Sequence, residues 1–193
     1  MLHWRKYAIL AAVILFFLLM GNPLGTVGAS ERGILLRFNA VTGRIYGEGL
    51  FFRVPMIERV IKMDIKIQKE QANATAASKD LQTVHSDVAV NFHINPEKVA
   101  SIYQDVGVDY KERLIDPALQ EAVKAITARF TAEELITRRE TVKEDIKALL
   151  RERMKPRGMV IDEFNIVDFG FSASFNSAAI GPGGQEQAGA DQV

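Results

Sequence analysis

The sequence predicts an α+β protein in which one apolar N-terminal helix precedes a single folded domain. Three observations support this prediction. An unbroken apolar run lies near the N-terminus, strand-like alternation dominates the first half of the domain, and helical spacing dominates the second half. About 150 of the 193 residues remain once the apolar run and a polar tail are set aside. A domain of that size can bury a hydrophobic core without disulfide bonds or metal ions to stabilise it.

The N-terminal run supports two interpretations. Residues 7–20 are apolar without a break and follow two basic residues. A helix of that length spans only about 21 Å, so crossing a hydrocarbon core of roughly 30 Å requires residues 21–28 as well. The run is either a retained anchor or a signal peptide cleaved near Ala29. The anchor residues would be Trp4, Tyr7, Leu10, Ile14, Phe16, Phe17 and Leu19. The basic residues favour a cytoplasmic N-terminus and an extracytoplasmic domain.

The first half of the domain is predicted to form an antiparallel sheet. Residues 34–38 alternate imperfectly between apolar and polar side chains. Residues 61–67 and 84–94 alternate cleanly, as expected of strands with one face in water. The intervening stretch 69–79 is small and polar, and we predict that it is a loop.

Three capping signals mark the predicted helices. Asn95-Pro96 and Asp116-Pro117 each combine a capping residue with a proline suited to the first helical position. Thr131–Glu134 matches a capping box, and apolar residues continue at helical spacing from there to Pro156. Residues 159–171 are rich in β-formers and are predicted to return to the sheet.

No catalytic, cofactor-binding or metal-binding constellation is found in the sequence. Cys is absent, and His85 and His93 would lie about 26 Å apart in an extended strand, too far to share one metal. Common nucleotide and hydrolase motifs are missing. Lys plus Arg equals Asp plus Glu at 24 each, which gives no bulk attraction to nucleic acid. We therefore predict a non-enzymatic protein with no cofactor. The rival is an enzyme whose Asp, Glu or Ser residues do not group in the sequence.

Two further segments carry alternative interpretations. The mixed charges of residues 138–153 lie at helical spacing, which is typical of a solvated helix face; the alternative is a surface that binds a partner. Leu50, Phe51 and Phe52 are either core residues or part of a membrane interface, because large apolar and aromatic side chains suit both environments.

Six motifs occur in a fixed order along the chain. They are Glu31-Arg32-Gly33, GEGLFFRVP ending at Pro55, KDLQTV at 79–84, Ile115-Asp116-Pro117, FTAEELITRRE at 130–140 and VDFGFSASF at 167–175. Together they resemble the prohibitin branch of the stomatin/prohibitin/flotillin family, also called SPFH or band 7. The resemblance covers residues 30–180. It predicts an anchor segment at 1–29 and an SPFH domain at 30–180. The Gly- and Gln-rich composition of residues 181–193 predicts a disordered tail.

The resemblance implies a single-pass membrane scaffold in a bacterial inner membrane or its organellar equivalent. Its partners would be the lipid bilayer, further copies or related SPFH subunits, and an AAA-type membrane protease that it modulates. Family members usually continue into a long coiled-coil helix. Here residues 175–180 begin such a helix and glycines at 181–184 end it, so we expect the coiled coil to be missing. The alternative function is a soluble secreted binding protein released near Ala29.

Overall fold

The computed structural model describes residues 2–19 and 21–171. Its helices and strands, in chain order, are α1 (Leu2–Leu19), β1 (Leu24–Val27), β2 (Glu31–Arg37), β3 (Ala40–Tyr46), β4 (Gly49–Phe52), β5 (Glu58–Asp64), β6 (Gln68–Ala77), β7 (Thr83–Ile94), α2 (Val99–Asp105), α3 (Asp116–Thr127), α4 (Ala132–Thr137), α5 (Arg139–Met154) and β8 (Met159–Phe171). The mixture of sheets and helices confirms the α+β class. The predicted glycine break at 181–184 and tail at 181–193 lie outside the described residues.

The backbone packs into two compact units. The first extends to Ile67 and includes residues 93–110 and 157–159; the second comprises residues 68–92, 111–156 and those from Val160 onward. In the first unit, β2 is the central strand of an antiparallel sheet in the order β3-β2-β5. Four consecutive β2 residues, 33–36, are buried. Both faces of β2 are therefore covered, which explains why its sequence alternates imperfectly.

The second unit contains a sheet in the order β6-β7-β8 with helices packed on it. α3 packs against β6, and α5 packs against both α3 and α4. The clean alternation of β7 is confirmed, since its even-numbered residues are buried. The final strand β8 is also confirmed with the predicted bounds. The apolar side chains buried most completely in this unit include Val84, Phe92, Leu119, Leu135, Ile146, Leu150, Ile161 and Phe164.

The prediction of a loop at residues 69–79 is wrong, because this stretch forms β6. It pairs with β7 along its whole length, from Gln68 opposite Phe92 to Ala77 opposite Thr83. Three of its inward positions carry alanine, and Ala74 and Ala76 are buried. Small residues give a weak strand signal in sequence, yet here they leave room for α3 to approach the sheet.

The strand predicted at 61–67 lies three residues earlier in the structure. β5 ends at Asp64, whose carboxylate accepts a hydrogen bond from the Lys66 amide at 2.8 Å and closes a turn. Ile67 is consequently exposed. The local hydrogen bond competes with continuation of the strand, which the alternating pattern could not reveal.

The three capping signals have different outcomes. The capping box is confirmed: the Thr131 hydroxyl accepts from the Glu134 amide at 3.2 Å, and the Glu134 carboxylate accepts from the Thr131 amide at 3.0 Å. Pro117 lies in the first turn of α3, as predicted, although a π-helical turn precedes that helix. Asn95 instead caps a turn, because its side chain accepts from the Glu97 amide and α2 begins only at Val99.

The prediction of a solvated helix face at residues 138–153 was incomplete, because several of these charged side chains contact β8. Within this range the helix breaks at Arg138, and a row of basic side chains on α5 then reaches β8. Arg139 and Arg151 each donate to two backbone carbonyls of β8, at distances of 2.6–3.1 Å. The buried Lys147 pairs with Glu163 at 3.0 Å. Because β8 is the outer strand of its sheet, these contacts occupy acceptors that a foreign strand would otherwise bind.

We expect Ala74→Leu to lower the free energy of unfolding by about 1–3 kcal/mol, because the larger side chain overfills the space between β6 and α3. Ala77→Leu is the matched control, since Ala77 lies on the exposed face of the same strand, and its effect should stay within about 0.5 kcal/mol. Chemical denaturation of the full chain in detergent micelles measures both. Equal losses in the two variants would contradict the packing described for β6.

Candidate membrane-contact surface

The seven predicted anchor residues all lie in α1. This helix contains 18 residues and is about 27 Å long. Its aromatic residues Trp4, Tyr7 and Phe16, together with Leu10 and Ile14, have exposed side chains. The remaining two predicted residues, at positions 17 and 19, belong to the C-terminal turns of the helix. Among the described residues, no helix has both the length and the apolar character needed to cross a membrane.

The segment that leaves α1 is fastened to the first unit. The Asn22 side chain accepts a hydrogen bond from the Leu24 amide at 3.0 Å, which shapes the turn into β1. The Pro23 carbonyl accepts from the Arg53 amide at 2.8 Å, immediately after β4. Gly21 approaches Pro55, since a side chain placed on Gly21 would contact that ring. The exit from α1 therefore lies beside the end of β4.

Strands β1 and β4 form a two-stranded antiparallel ribbon whose inner face holds Phe51. The ring of Phe51 stacks on Tyr46, with 5.1 Å between their centroids, and it is only 8% exposed. Opposite it stands Gly25, where any side chain would overlap the ring. The sequence left Phe51 open as either a core residue or a membrane-interface residue, and its burial matches a core residue. The requirement for a close approach at Gly25 explains the burial.

The outer face of the ribbon presents the other two predicted interface residues. Leu50 is 78% exposed and Phe52 is 61% exposed. Leu24 is the cross-strand partner of Phe52 and is exposed as well. Leu24, Leu50 and Phe52 form the ribbon face. Large apolar side chains grouped in this way are uncommon on a surface that meets only water.

Two loop tips add apolar residues that the sequence analysis missed. Phe38 occupies the turn between β2 and β3, and Met56 occupies the turn between β4 and β5; they are 76% and 78% exposed. The tips are adjacent, because the Phe38 amide donates to the Ile57 carbonyl at 2.8 Å. Phe38 had been assigned to the preceding strand by alternation. The Asn39 that follows it was the available signal, since asparagine favours tight hairpin turns.

Both tip residues have backbone conformations that bulky side chains avoid. Phe38 has φ of 49° and its neighbour Asn39 has φ of 66°, as in a two-residue type I′ hairpin, and Met56 has φ of 69°. Such a conformation costs roughly 1–2 kcal/mol for an ordinary L-residue. Neither burial nor backbone preference accounts for a large apolar side chain at these positions. Unfavourable residues at exposed tips point to a role in contact with another surface.

Glu58 holds the tip loops in place. Its carboxylate accepts a hydrogen bond from the Val54 amide at 2.9 Å and pairs with the Arg37 guanidinium at 2.8 Å. The Val54 hydrogen bond first, and the Arg37 contact second, hold the pKa of Glu58 below its ordinary value. Glu58 is therefore ionised at neutral pH, with its charge matched by Arg37.

Residues with potential catalytic or metal-binding chemistry are dispersed in the part of the chain that the structure describes. No group of three or more His, Asp or Glu side chains there is arranged to hold a metal ion. His85 and His93 lie on β7, and the His85 ring contacts the Thr75 hydroxyl at 3.1 Å. The two histidines are therefore placed as polar side chains on the face of a sheet.

Comparison with known proteins gives consistent matches. Residues 26–192 match the family described as SPFH domain / Band 7 family. The chain is 32% identical over 158 residues to Mitochondrial prohibitin complex protein 1 of Caenorhabditis elegans, covering 81% of this chain and 58% of that protein. It is 34% identical over 157 residues to Prohibitin-2 of Mus musculus, with coverages of 79% and 52%. The chain thus spans little more than half the length of these curated relatives.

We expect Phe38→Asn to raise the stability of the chain by about 1 kcal/mol, because asparagine tolerates positive φ far better than phenylalanine. The midpoint of thermal unfolding in detergent micelles should rise by about 2–4 °C. Leu50→Asn is the control: it removes an equally exposed apolar side chain from a strand, and no stabilisation is expected. An equal rise in both variants would show that backbone strain is not the cause.

Proposed function

We propose, from the premise that this chain belongs to the SPFH domain / Band 7 family, that it is a prohibitin-like, non-enzymatic scaffold held at a membrane surface. The observation that carries the proposal is the position of the ribbon face and the loop tips. Both surround the point where the chain leaves α1. A protein that presents its apolar residues beside an apolar helix is suited to rest against the bilayer which that helix enters.

The energetics favour contact with lipid over contact with water. Transfer of a Leu, Phe or Met side chain from water to an apolar environment gains roughly 1.5–3 kcal/mol when burial is complete. Phe52 and Phe38 also suit the headgroup boundary, where aromatic side chains concentrate. Partial insertion of several such residues would fix the orientation of the first unit at the surface, which a single flexible attachment could not do.

The anchor and its topology are part of the same proposal. α1 begins with Leu2 and carries basic residues at its N-terminal end, so we place that end in the cytoplasm and the domain outside it. The membrane would be the bacterial inner membrane or its organellar equivalent. The name of the Caenorhabditis elegans relative refers to mitochondria, which is consistent with an organellar membrane for that protein.

Assembly is the proposed means of action. The name of the Caenorhabditis elegans relative refers to a complex, and we propose that this chain likewise associates with copies of itself or with related SPFH subunits. Attachment to one membrane holds subunits in the same plane and orientation, which raises their effective concentration. Lateral association would then organise a patch of membrane and position an AAA-type membrane protease, the client that the family resemblance implies.

We expect the full chain to remain in the membrane pellet through alkaline carbonate washing and to yield crosslinked dimers and higher multimers there. The apolar character of α1 and the exposed ribbon face are the reasons. Immunoblotting of pellet and wash after amine crosslinking provides the measurement. Release into the wash with a mature start near Ser30 would contradict the anchor, and crosslinking that yields only monomer would contradict the scaffold.

We expect the fluorescence of a tryptophan placed on the ribbon face to be quenched by lipid. In a Trp4→Phe background, Phe52→Trp should be quenched by brominated lipids in reconstituted vesicles, because that side chain would lie at the headgroup boundary. Val160→Trp, at an exposed position on β8, serves as the control. If the two fluorophores are quenched to the same degree, the ribbon face is not a specific membrane contact.

A further inference from the structure

A cavity of about 370 Å³ opens beside the loop tips. It is lined by Gly21, by the turn that contains Phe38 and Asn39, by Arg53 and by the segment from Pro55 to Arg59. All of these belong to the first unit. The volume lies at the small end of the range of about 300–1,000 Å³ that is typical of ligand pockets. It suits a small polar group better than a whole lipid.

The charges that line the cavity favour an anion. Arg53 and Arg59 both contribute to its walls, and within the described residues neither forms an ion pair. The only acidic residue in the lining, Glu58, is already matched by Arg37 and by the Val54 amide. Two cationic side chains are therefore uncompensated. Guanidinium groups are the side chains best suited to bind phosphate through two parallel hydrogen bonds.

Arg53 also has an unfulfilled hydrogen bond. Its Nε atom is buried and has no acceptor among the described residues. A buried donor without a partner is costly, and such groups are rare in folded proteins. An oxygen-rich anion entering the cavity would supply the missing acceptor.

The rim of the cavity is apolar. Phe38 and Met56 stand on it with exposed side chains, and Gly21 on its wall lies just beyond the C-terminal end of α1. A site for a freely soluble phosphate has no need of such a rim. A phosphate attached to acyl chains does, because its chains continue into an apolar environment while its headgroup enters the cavity.

We infer that this cavity binds the headgroup of an anionic phospholipid, with Arg53 and Arg59 on the phosphate and with Phe38 and Met56 among the acyl chains. The inference rests on the membrane contact proposed above and adds a ligand class to it. The loop tips are thus a lipid-selective contact. Electrostatic attraction between basic side chains and anionic lipid reinforces it at the membrane surface.

The test uses the full chain reconstituted in nanodiscs of phosphatidylcholine with or without phosphatidylglycerol. Native mass spectrometry after release from the nanodisc counts the lipids that stay bound. We expect selective retention of phosphatidylglycerol, and a loss of about tenfold or more in that selectivity for Arg53→Gln/Arg59→Gln. Arg129→Gln/Arg157→Gln is the matched control, because it removes the same charge at two exposed positions outside the cavity and should leave selectivity unchanged.

Each outcome of the lipid-retention measurement either supports or overturns the headgroup site. Loss of selectivity in the cavity variant alone supports the headgroup site. Equal loss in the control, or no selectivity in a chain that stays in the nanodisc, overturns the headgroup site and leaves the membrane scaffold standing. Displacement of the retained lipid by inorganic phosphate would reassign the cavity to a free anion. A chain that does not enter nanodiscs of either composition overturns both the site and the proposed function.

Discussion

The antiparallel pairing of β1 with β4 is the constraint on which the rest of the first unit depends. It places the residues that follow α1 against the residues that follow β4, and the Pro23–Arg53 hydrogen bond closes this junction. The ribbon face, the loop tips and the cavity all surround the junction. Without the pairing, the same apolar residues would lie on separate segments, and no single surface would exist for a membrane to meet.

At the loop tips, the features suited to the proposed membrane contact lower the folding stability of the chain in water. Phe38 and Met56 combine exposed apolar area with positive φ, and both features cost free energy in water. The Glu58 network holds the loops against that cost by tying Val54 and Arg37 to one carboxylate. A lipid environment changes the sign of the apolar contribution, whereas the backbone strain remains. Residues that appear unfavourable in the isolated chain are thus consistent with a surface that acts at a boundary.

Protection of sheet edges is the corresponding feature of the second unit. The basic row on α5 donates to carbonyls of the outer strand β8, so side chains take the place of a neighbouring strand. In the proposed scaffold, copies crowded in one membrane would be exposed to unwanted strand pairing, and occupied edge acceptors reduce that risk. The charge pattern of residues 138–153 predicted a helix correctly, but a pattern along one helix does not show which strand lies beneath it.

The sequence by itself determined the α+β class, the apolar character of α1, the bounds of β8 and the capping box at Thr131, because periodicity and capping are local properties. It also determined the family, because the order of motifs is read directly along the chain. Tertiary structure decided the rest. β6 became a strand because β7 pairs with it and α3 covers its alanines, and Phe51 turned inward because Gly25 leaves space across the ribbon. Phe38 and Arg53 meet at one cavity only after β2, β4 and β5 are assembled. Contacts between distant segments depend on packing, which no single stretch of sequence encodes.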